Sequence, residues 1–462
     1  MSASFQVNEF VDNQKIGLFN INLLFWCFLA MFADGYDLNS IGYAMPFILE
    51  EWGLTANDMR LAASATLIGI FVGAPLLGYL GDRYGRKNSI IGGCMIYGAA
   101  TLAIAWATTP NDIVLFRMLA GLGIGGIMPN TIALNSELAP KRYRATLIVL
   151  MFMGITMGSG TPGFVSIYLV ADHGWEIIFL LGGILPILIG IILFFTLPES
   201  IKFLATRPAR KTELICTARK MRPDLDIPDD ATFINPPIVD GSAGSAKELF
   251  RGGLGVITPL LWLSFSTALM ANFFINNWLP TLFSNFGIDN ERAALITTWY
   301  HFGGTFGGLA IAILLDRFGY MIIAIMFACA VPAVALIGLE GLPDAGMTLF
   351  AASAGFAILG AQFGNNASAG LLYPTTVRSK GVGWALSIGR FGAIVGPYAG
   401  AQLLVMGLGM QAIFMVVTIP LVIGAIAAAL LSRLCYKRFD GFQLDDTPVQ
   451  ELRLRDAETD PL

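Results

Sequence analysis

The chain has 462 residues, of which 55% are hydrophobic and only 13% charged, with a mean hydropathy of +0.68. Soluble domains carry about a quarter charged residues, so this composition excludes a soluble globular protein and points to a polytopic membrane protein. The net charge of −4 is uninformative because the charges are segregated along the chain, and nothing in the sequence directs it to nucleic acid.

Apolar runs long enough to span a bilayer, about 20 residues each, fall at 17–49, 58–81, 89–108, 112–136, 145–171 and 175–197. A polar stretch follows, then six more runs at 255–285, 292–315, 320–339, 345–373, 380–407 and 411–434. This predicts an all-α polytopic membrane protein with twelve transmembrane helices in two pseudo-symmetric six-helix bundles. The bundles are expected over residues 1–197 and 254–436, with a central loop at 198–253 and a tail at 437–462. The loop, with Pro-rich pieces such as Pro223–Pro237, reads as a connector with short surface helices, and the acidic tail after Asp440 reads as disordered. The first run lacks a small-residue cleavage site and is kept as a membrane helix rather than a signal peptide.

Lys and Arg set the orientation. With a cytoplasmic N-terminus, 24 of the 28 fall in inside segments. Only Arg60 and Arg292 lie in outside loops, and Arg117 and Arg390 lie within helices. The positive-inside rule therefore predicts that both termini are cytoplasmic. The five cysteines (Cys27, Cys94, Cys216, Cys329 and Cys435) show no CxxC or zinc spacing and read as packing residues. No metal and no organic cofactor is expected, nor any catalytic residue, since neither a nucleophile elbow nor a phosphate loop occurs.

The halves are copies. Asp82-Arg83-Tyr84-Gly85 recurs as Asp316-Arg317-Phe318-Gly319 at an offset of 234 residues. The same offset maps Gly69 on Gly303, Gly73 on Gly307, Gly121 on Gly355, Pro140 on Pro374, Arg144 on Arg378 and Gly158 on Gly392. Two parallel six-helix repeats are the architecture of transporters that rock about a site at the membrane midplane.

Costly polar residues break this repeat. Asp34 and Asp37 map on Ala268 and Ala271, His301 on Leu67, Arg117 on Ala351 and Arg390 on Thr156. Asp34 and Asp37 are the only charges between Lys15 and Glu50, and a helix puts i and i+3 on one face. A carboxylate at membrane depth costs roughly 2.5–3.5 kcal/mol on insertion scales, so it normally faces a polar interior. Two adjacent carboxyls can hold one proton between them, which makes this pair the proton-coupling candidate. A structural pair neutralised by an Arg is the other reading, and Arg117 is the natural partner in either case. Arg390, near mid-bilayer, offers a planar fork matched to a substrate carboxylate; the alternative is a structural pair with an acid elsewhere. His301 could bind a ring hydroxyl or carboxylate, relay a proton, or simply be a satisfied interior histidine. Asn277, Gln362, Asn366 and Trp384 are further pocket candidates, and Glu137 is assigned to the inner gate beside Lys141 and Arg142.

Gly78-Tyr79-Leu80-Gly81-Asp82-Arg83-Tyr84-Gly85-Arg86-Lys87 resembles the signature of the major facilitator superfamily between its second and third helices. Within it the chain most resembles the aromatic acid:proton symporters, nearly end to end. The likeness rests on Asp34-Gly35-Tyr36-Asp37, Arg117 with Gly121 and Gly123, Met128-Pro129-Asn130, Ser136 to Arg142, Trp278-Leu279-Pro280, and Gly381 to Arg390. It departs at Asn39-Ser40, Thr161-Pro162 and Glu176, and Leu197 to Lys202 resembles a sugar-porter loop.

The resemblance implies the major facilitator fold and a monomer in a bacterial inner membrane. Its activity would be uptake of a small aromatic carboxylate with protons by alternating access, and no enzymatic reaction; a sugar or other organic-solute porter is the alternative. It further implies that Arg117 takes part in proton coupling. A cytoplasmic gate would comprise Gly81, Asp82, Arg83, Gly85, Arg86, Glu137 and Arg144, with Asp316 and Arg317 in the second copy.

Overall fold

A computed structural model describes residues 4–140, 142–235, 249–250, 254–339, 341–373 and 378–439. Lys141 and the tail after 439 lie outside the described residues, as do the side chains of Arg144 and Asp316.

Six long helices form the first half: α2 (Leu18–Trp52), α3 (Arg60–Tyr84), α4 (Arg86–Ile104), α5 (Pro110–Leu138), α6 (Arg144–His173) and α7 (Glu176–Thr196). Six more form the second: α10 (Leu254–Asn285), α11 (Asn290–Phe318), α12 (Met321–Ile337), α13 (Asp344–Leu372), α14 (Arg378–Val405) and α15 (Met410–Phe439). Every apolar run of the sequence ends within five residues of one of these helix ends. Eight of the twelve are long and apolar enough to cross a membrane by length and composition. Among the others, α12 is short, at 17 residues, α4 opens on Arg86-Lys87-Asn88, and α14 carries Arg390. Before α2 come β1 (Ser4–Gln6) and α1 (Val7–Asp12); between the halves lie α8 (Ile201–Ala205), α9 (Lys211–Met221) and β2 (Thr232–Ile234).

The 234-residue offset reaches down to backbone contacts. A Cβ on Gly121 would overlap the backbone of Thr66, and one on Gly355 would overlap Tyr300, its repeat mate. Gly158 sits against Phe32 as Gly392 sits against Ser266. The repeated glycines are thus the places where α3 meets α5, α11 meets α13, α2 meets α6 and α10 meets α14 with no room for a side chain. Such close packing of small residues is how helices associate where lipid offers no hydrophobic drive.

The chain forms two compact units: Met1–Ser40, Ala65–Pro162 and Asp172–Val239 make one, and Ile41–Ser64, Gly163–Ala171 and Asp240–Leu462 the other. The ends of α2, α3 and α6 that lie in residues 41–64 and 163–171 therefore pack with the second half. Gly42 abuts the backbone of Asn276, and Gly163 abuts Thr298 and Tyr43. Ser64 Oγ donates to Ile394 O at 3.0 Å, and Gln402 Nε2 donates to Asn57 Oδ1 at 3.1 Å.

Within the first unit the N-terminus is tied down. β1 pairs in parallel with β2, Ser4 opposite Thr232 and Gln6 opposite Ile234. Phe5 stacks on Phe233 at 5.4 Å, Phe10 meets Phe233 edge-on at 5.2 Å, and Arg222 lies over the Phe10 ring. Gln14 then donates to Leu138 O at 2.7 Å and accepts from Asn20 at 3.2 Å, which joins the start of α2 to the end of α5.

Candidate functional site

Residues 34–37 of α2 each face a different neighbour, as the 100° step of a helix requires. Gly35 lies against the backbone of Ile155 on α6, where any Cβ would clash. The Tyr36 hydroxyl donates to Ile178 O on α7 at 3.0 Å. Asp34 and Asp37 turn into the interior of the first unit and are 1% and 0% exposed. Thr101 on α4 donates to Asp37 Oδ1 at 2.5 Å, and Asp37 Oδ2 accepts no hydrogen bond among the described residues.

Arg117 on α5 is equally buried, at 1% exposure. Its charge acts on Asp37, and its Nη1 donates to Ser40 Oγ at 3.4 Å. Ser40 in turn donates to the Asp37 carbonyl at 2.8 Å. Burying a lone guanidinium would cost several kcal/mol, and a nearby carboxylate is what makes such burial tolerable. Also on α2, Asn39 Nδ2 donates to Ser159 Oγ at 2.8 Å and to Gly35 O at 2.9 Å. Of the three residues proposed from sequence for proton coupling, Asp37 and Arg117 thus meet in one buried cluster, and Asp34 is buried about one turn earlier on α2.

Sequence reasoning overlooked the α4 side of this cluster. Cys94, Tyr97 and Thr101 are spaced three and four apart, so they share a helix face. The charge of Asp34 acts on Cys94, and those of Asp34 and Asp37 both act on Tyr97. The signal that could have found them is the broken repeat: Tyr97 and Thr101 map on Val331 and Ala335, and Ser40 on Phe274.

The substrate candidates lie in the second unit. His301 on α11 is 1% exposed, and its Nε2 has no hydrogen-bond partner among the described residues. It lies beside Tyr43 of α2, with ring centroids 6.5 Å apart, and the Tyr43 hydroxyl is 3.5 Å from Thr298 Oγ1. Asn277 is buried and its Nδ2 donates to Phe273 O at 2.9 Å, while its Oδ1 has no hydrogen-bond partner among the described residues. Gln362 and Asn366 on α13 and Arg390 on α14 are half-buried, and Gln362 Oε1 has no hydrogen-bond partner among the described residues. Trp384 stacks on Trp262 at 6.0 Å and is 45% exposed. Six residues separate it from Arg390, a rotation of about 240° around α14, so the two occupy different faces.

Most of the gate residues form one network. Arg86 Nη2 lies 2.5 Å from Asp82 Oδ1 and 3.6 Å from Glu137 Oε1. Ser200 Oγ donates to Glu137, and Arg86 Nη1 donates to Asn130 Oδ1 at 3.4 Å. A Cβ on Gly81 would strike Asn130. Arg83 points outward to the Tyr79 hydroxyl, and Arg317 lies over Phe318. Glu199, also overlooked, caps the start of α4: its Oε1 accepts from the backbone N–H groups of Arg86, Lys87 and Ser200 at 3.0, 3.3 and 2.9 Å. Burial raises its carboxyl above the ordinary range, and these N–H groups oppose the shift. Gly85, at φ +107°, has no space for a Cβ because the Glu199 carboxylate occupies it.

The sequence model described as Major Facilitator Superfamily matches residues 27–364 and 261–448. A gallate transporter of Pseudomonas putida is 34% identical over 431 residues, which cover 93% of this chain and 95% of the relative. A 4-hydroxybenzoate transporter of the same organism is 32% identical over 437 residues, covering 94% and 97%. The inward open conformation of the xylose transporter of E. coli superposes with a TM-score of 0.69 at 16% identity, covering 94% of this chain and 99% of that one.

Proposed function

The chain belongs to the major facilitator superfamily, and we propose that within it this protein imports a small aromatic carboxylate with protons by alternating access. It is a transporter and not an enzyme. The observation that carries the coupling is the buried cluster of Asp34, Asp37, Thr101 and Arg117, whose polar members are absent from the second copy of the repeat. The substrate class follows from the relatives that transport gallate and 4-hydroxybenzoate.

In this reading Asp34 and Asp37 hold the transported proton, and Arg117 compensates the charge when it leaves. Arg390 receives the carboxylate, while His301, Asn277, Gln362 and Asn366 offer polar contacts to ring substituents; Trp384, on another face of α14 and stacked on Trp262, stands apart from this set. The two covalent halves, residues 1–197 and 254–436, are the rocking bodies. The network around Arg86 is the inner gate, to which Arg144, Asp316 and Arg317 are assigned by the repeat. The protein works as a monomer in a bacterial inner membrane with both termini cytoplasmic, an orientation supported by the 24 of 28 basic residues on that side.

Uptake of labelled 4-hydroxybenzoate and gallate into proteoliposomes, with and without an imposed pH gradient, tests this. Accumulation should require the gradient, and Asp34→Asn should abolish it. Transport indifferent to the gradient would remove the symport reading. Uptake of xylose in place of the acids would favour the sugar-porter alternative.

A further inference from the structure

The mechanism above names an inner gate and leaves the outer ends of the helices without a task. Within the second unit these ends meet at three places. Gly42 of α2 lies against the backbone of Asn276 on α10, and the 234-residue offset makes Asn276 the repeat mate of Gly42. A contact between two repeat mates is what a pseudo-two-fold axis produces, as in an isologous interface. On one side of this contact α3 meets α14, and on the other α11 meets α6, the same pair exchanged by the repeat.

The α3–α14 edge is polar and keeps a register. Asn57, Arg60 and Ser64 follow one another at helical spacing, opposite Gln402, Tyr398 and Ile394 of the antiparallel α14. Gln402 Nε2 donates to Asn57 Oδ1 at 3.1 Å, the Arg60 guanidinium lies 5.6 Å over the Tyr398 ring, and Ser64 Oγ donates to Ile394 O at 3.0 Å. Arg60 Nη1 also donates to Asn57 Oδ1 at 2.7 Å, which joins the first two rungs. The α6–α11 edge is apolar by comparison. The rings of Phe164 and Phe302 lie 6.1 Å apart, and Thr298 and Tyr43 fill the space a Cβ on Gly163 would need. The polar edge breaks the repeat as the acids do, since Arg60 maps on Ala294, Tyr398 on Phe164 and Gln402 on Tyr168.

Permanent helix contacts in this chain are built differently. α10 meets α14 through Gly392 and Gly396, whose Cβ positions are taken by the backbone of Ser266 and Met270. The α3–α14 edge is bridged by side chains instead. Each of its rungs is weak alone, and each polar group can return to water when the rung parts. Tyr398 is already 41% exposed. The edge can therefore open without leaving an orphaned polar group in an apolar interior.

We propose that Asn57, Arg60 and Ser64 form with Ile394, Tyr398 and Gln402 an outer latch that is closed in this structure. It holds the outer mouth shut while substrate leaves to the cytoplasm, and it must part before the next aromatic acid enters. The inference rests on the reading of the chain as an alternating-access transporter in the orientation given above.

Asn57→Cys combined with Gln402→Cys tests the latch after folding is complete, in a background where the exposed Cys216 and Cys329 are replaced by Ser. Bridging the two positions with a short bis-methanethiosulfonate should lower uptake of 4-hydroxybenzoate into proteoliposomes about ten-fold or more, and a reductant should restore it. Each single variant treated alike should stay within about two-fold of its untreated rate. Uptake unchanged by complete bridging overturns the latch, as does an equal loss in the single variants. A second measurement needs no transport. Asn276→Cys places a thiol at the central contact, where the side chain is 4% exposed. Arg60→Ala with Gln402→Ala should raise its labelling by an impermeant maleimide from the outer side about five-fold or more; an unchanged labelling rate overturns the latch. The unbridged protein separates the two ideas. If it accumulates no acid, the transport reading fails; if it accumulates acid before and after bridging alike, only the latch is wrong.

Discussion

The Thr101 hydroxyl donates to Asp37 Oδ1 across 2.5 Å, from the turn of α4 that follows Tyr97. A hydrogen bond to a charged group contributes about 1.5–3 kcal/mol. Thr101→Val, which keeps the shape and removes the donor, should therefore lower coupled uptake roughly ten-fold or more, and Thr101→Ser should restore it. Equal initial rates for Thr101→Val and the parent would show that the bond has no part in coupling.

Arg117 and Asp37 are both fully buried and are joined through Ser40, which accepts from Arg117 and donates to the Asp37 carbonyl. Removing one member of a buried pair costs about 3–5 kcal/mol because the other is left uncompensated. Asp37→Asn should therefore lower the melting temperature of the purified protein more than the double variant Asp37→Asn, Arg117→Gln does. Differential scanning fluorimetry in detergent decides the order, and a double variant less stable than the single one would contradict it.

Arg390→Ala should abolish saturable binding of 4-hydroxybenzoate in a scintillation proximity assay. Arg390→Lys should retain a weaker affinity, since an ammonium keeps the charge but not the planar fork. Wild-type affinity in Arg390→Ala would place the carboxylate elsewhere.

Two glycines should respond in opposite directions. Gly121 has the backbone of Thr66 where its Cβ would be, so Gly121→Val should cost at least about 1–3 kcal/mol through overpacking and reduce folded yield. Gly92 has no atom within 4 Å of a Cβ and lies inside α4. Gly92→Ala should therefore raise stability by about 0.5–1 kcal/mol. Size-exclusion profiles and thermal midpoints of both variants provide the comparison.

Glu199 predicts a pH dependence outside the membrane helices. Burial raises its carboxyl in the folded protein, so the folded state holds this proton more firmly than the unfolded chain does. Its contribution to stability therefore grows as pH falls through the folded value and is lost as pH rises through it. Glu199→Gln keeps an acceptor for the Arg86 and Lys87 N–H groups without the charge. Its thermal midpoint should match or exceed the parent at pH 7.5 and lack the parent's gain on acidification. An unchanged acid-side slope would show that another group titrates.

The helices and the internal copy were readable from the chain because a bilayer demands long apolar runs, and the repeat preserves the glycines where backbones touch. The acid pair stood out because charge is rare at such depth. Thr101 and Ser40 did not, since hydroxyl-bearing residues are ordinary in membrane helices and only their neighbours reveal the bonds they make. Glu199 sat in a recognised loop motif, but nothing in that motif indicated that it would cap α4. The pairing of β1 with β2 was unreadable for another reason: two three-residue strands with most of the first half between them leave no periodic pattern.

That pairing has a bearing on biosynthesis. Ser4–Gln6 is synthesised before the six helices of the first half, yet its partner strand at Thr232–Ile234 emerges only after them. Until then the Phe5 and Phe10 rings have no Phe233 to cover them, and the leading segment must wait uncommitted at the membrane surface. The joint between β1 and β2 can close only once the first half is complete.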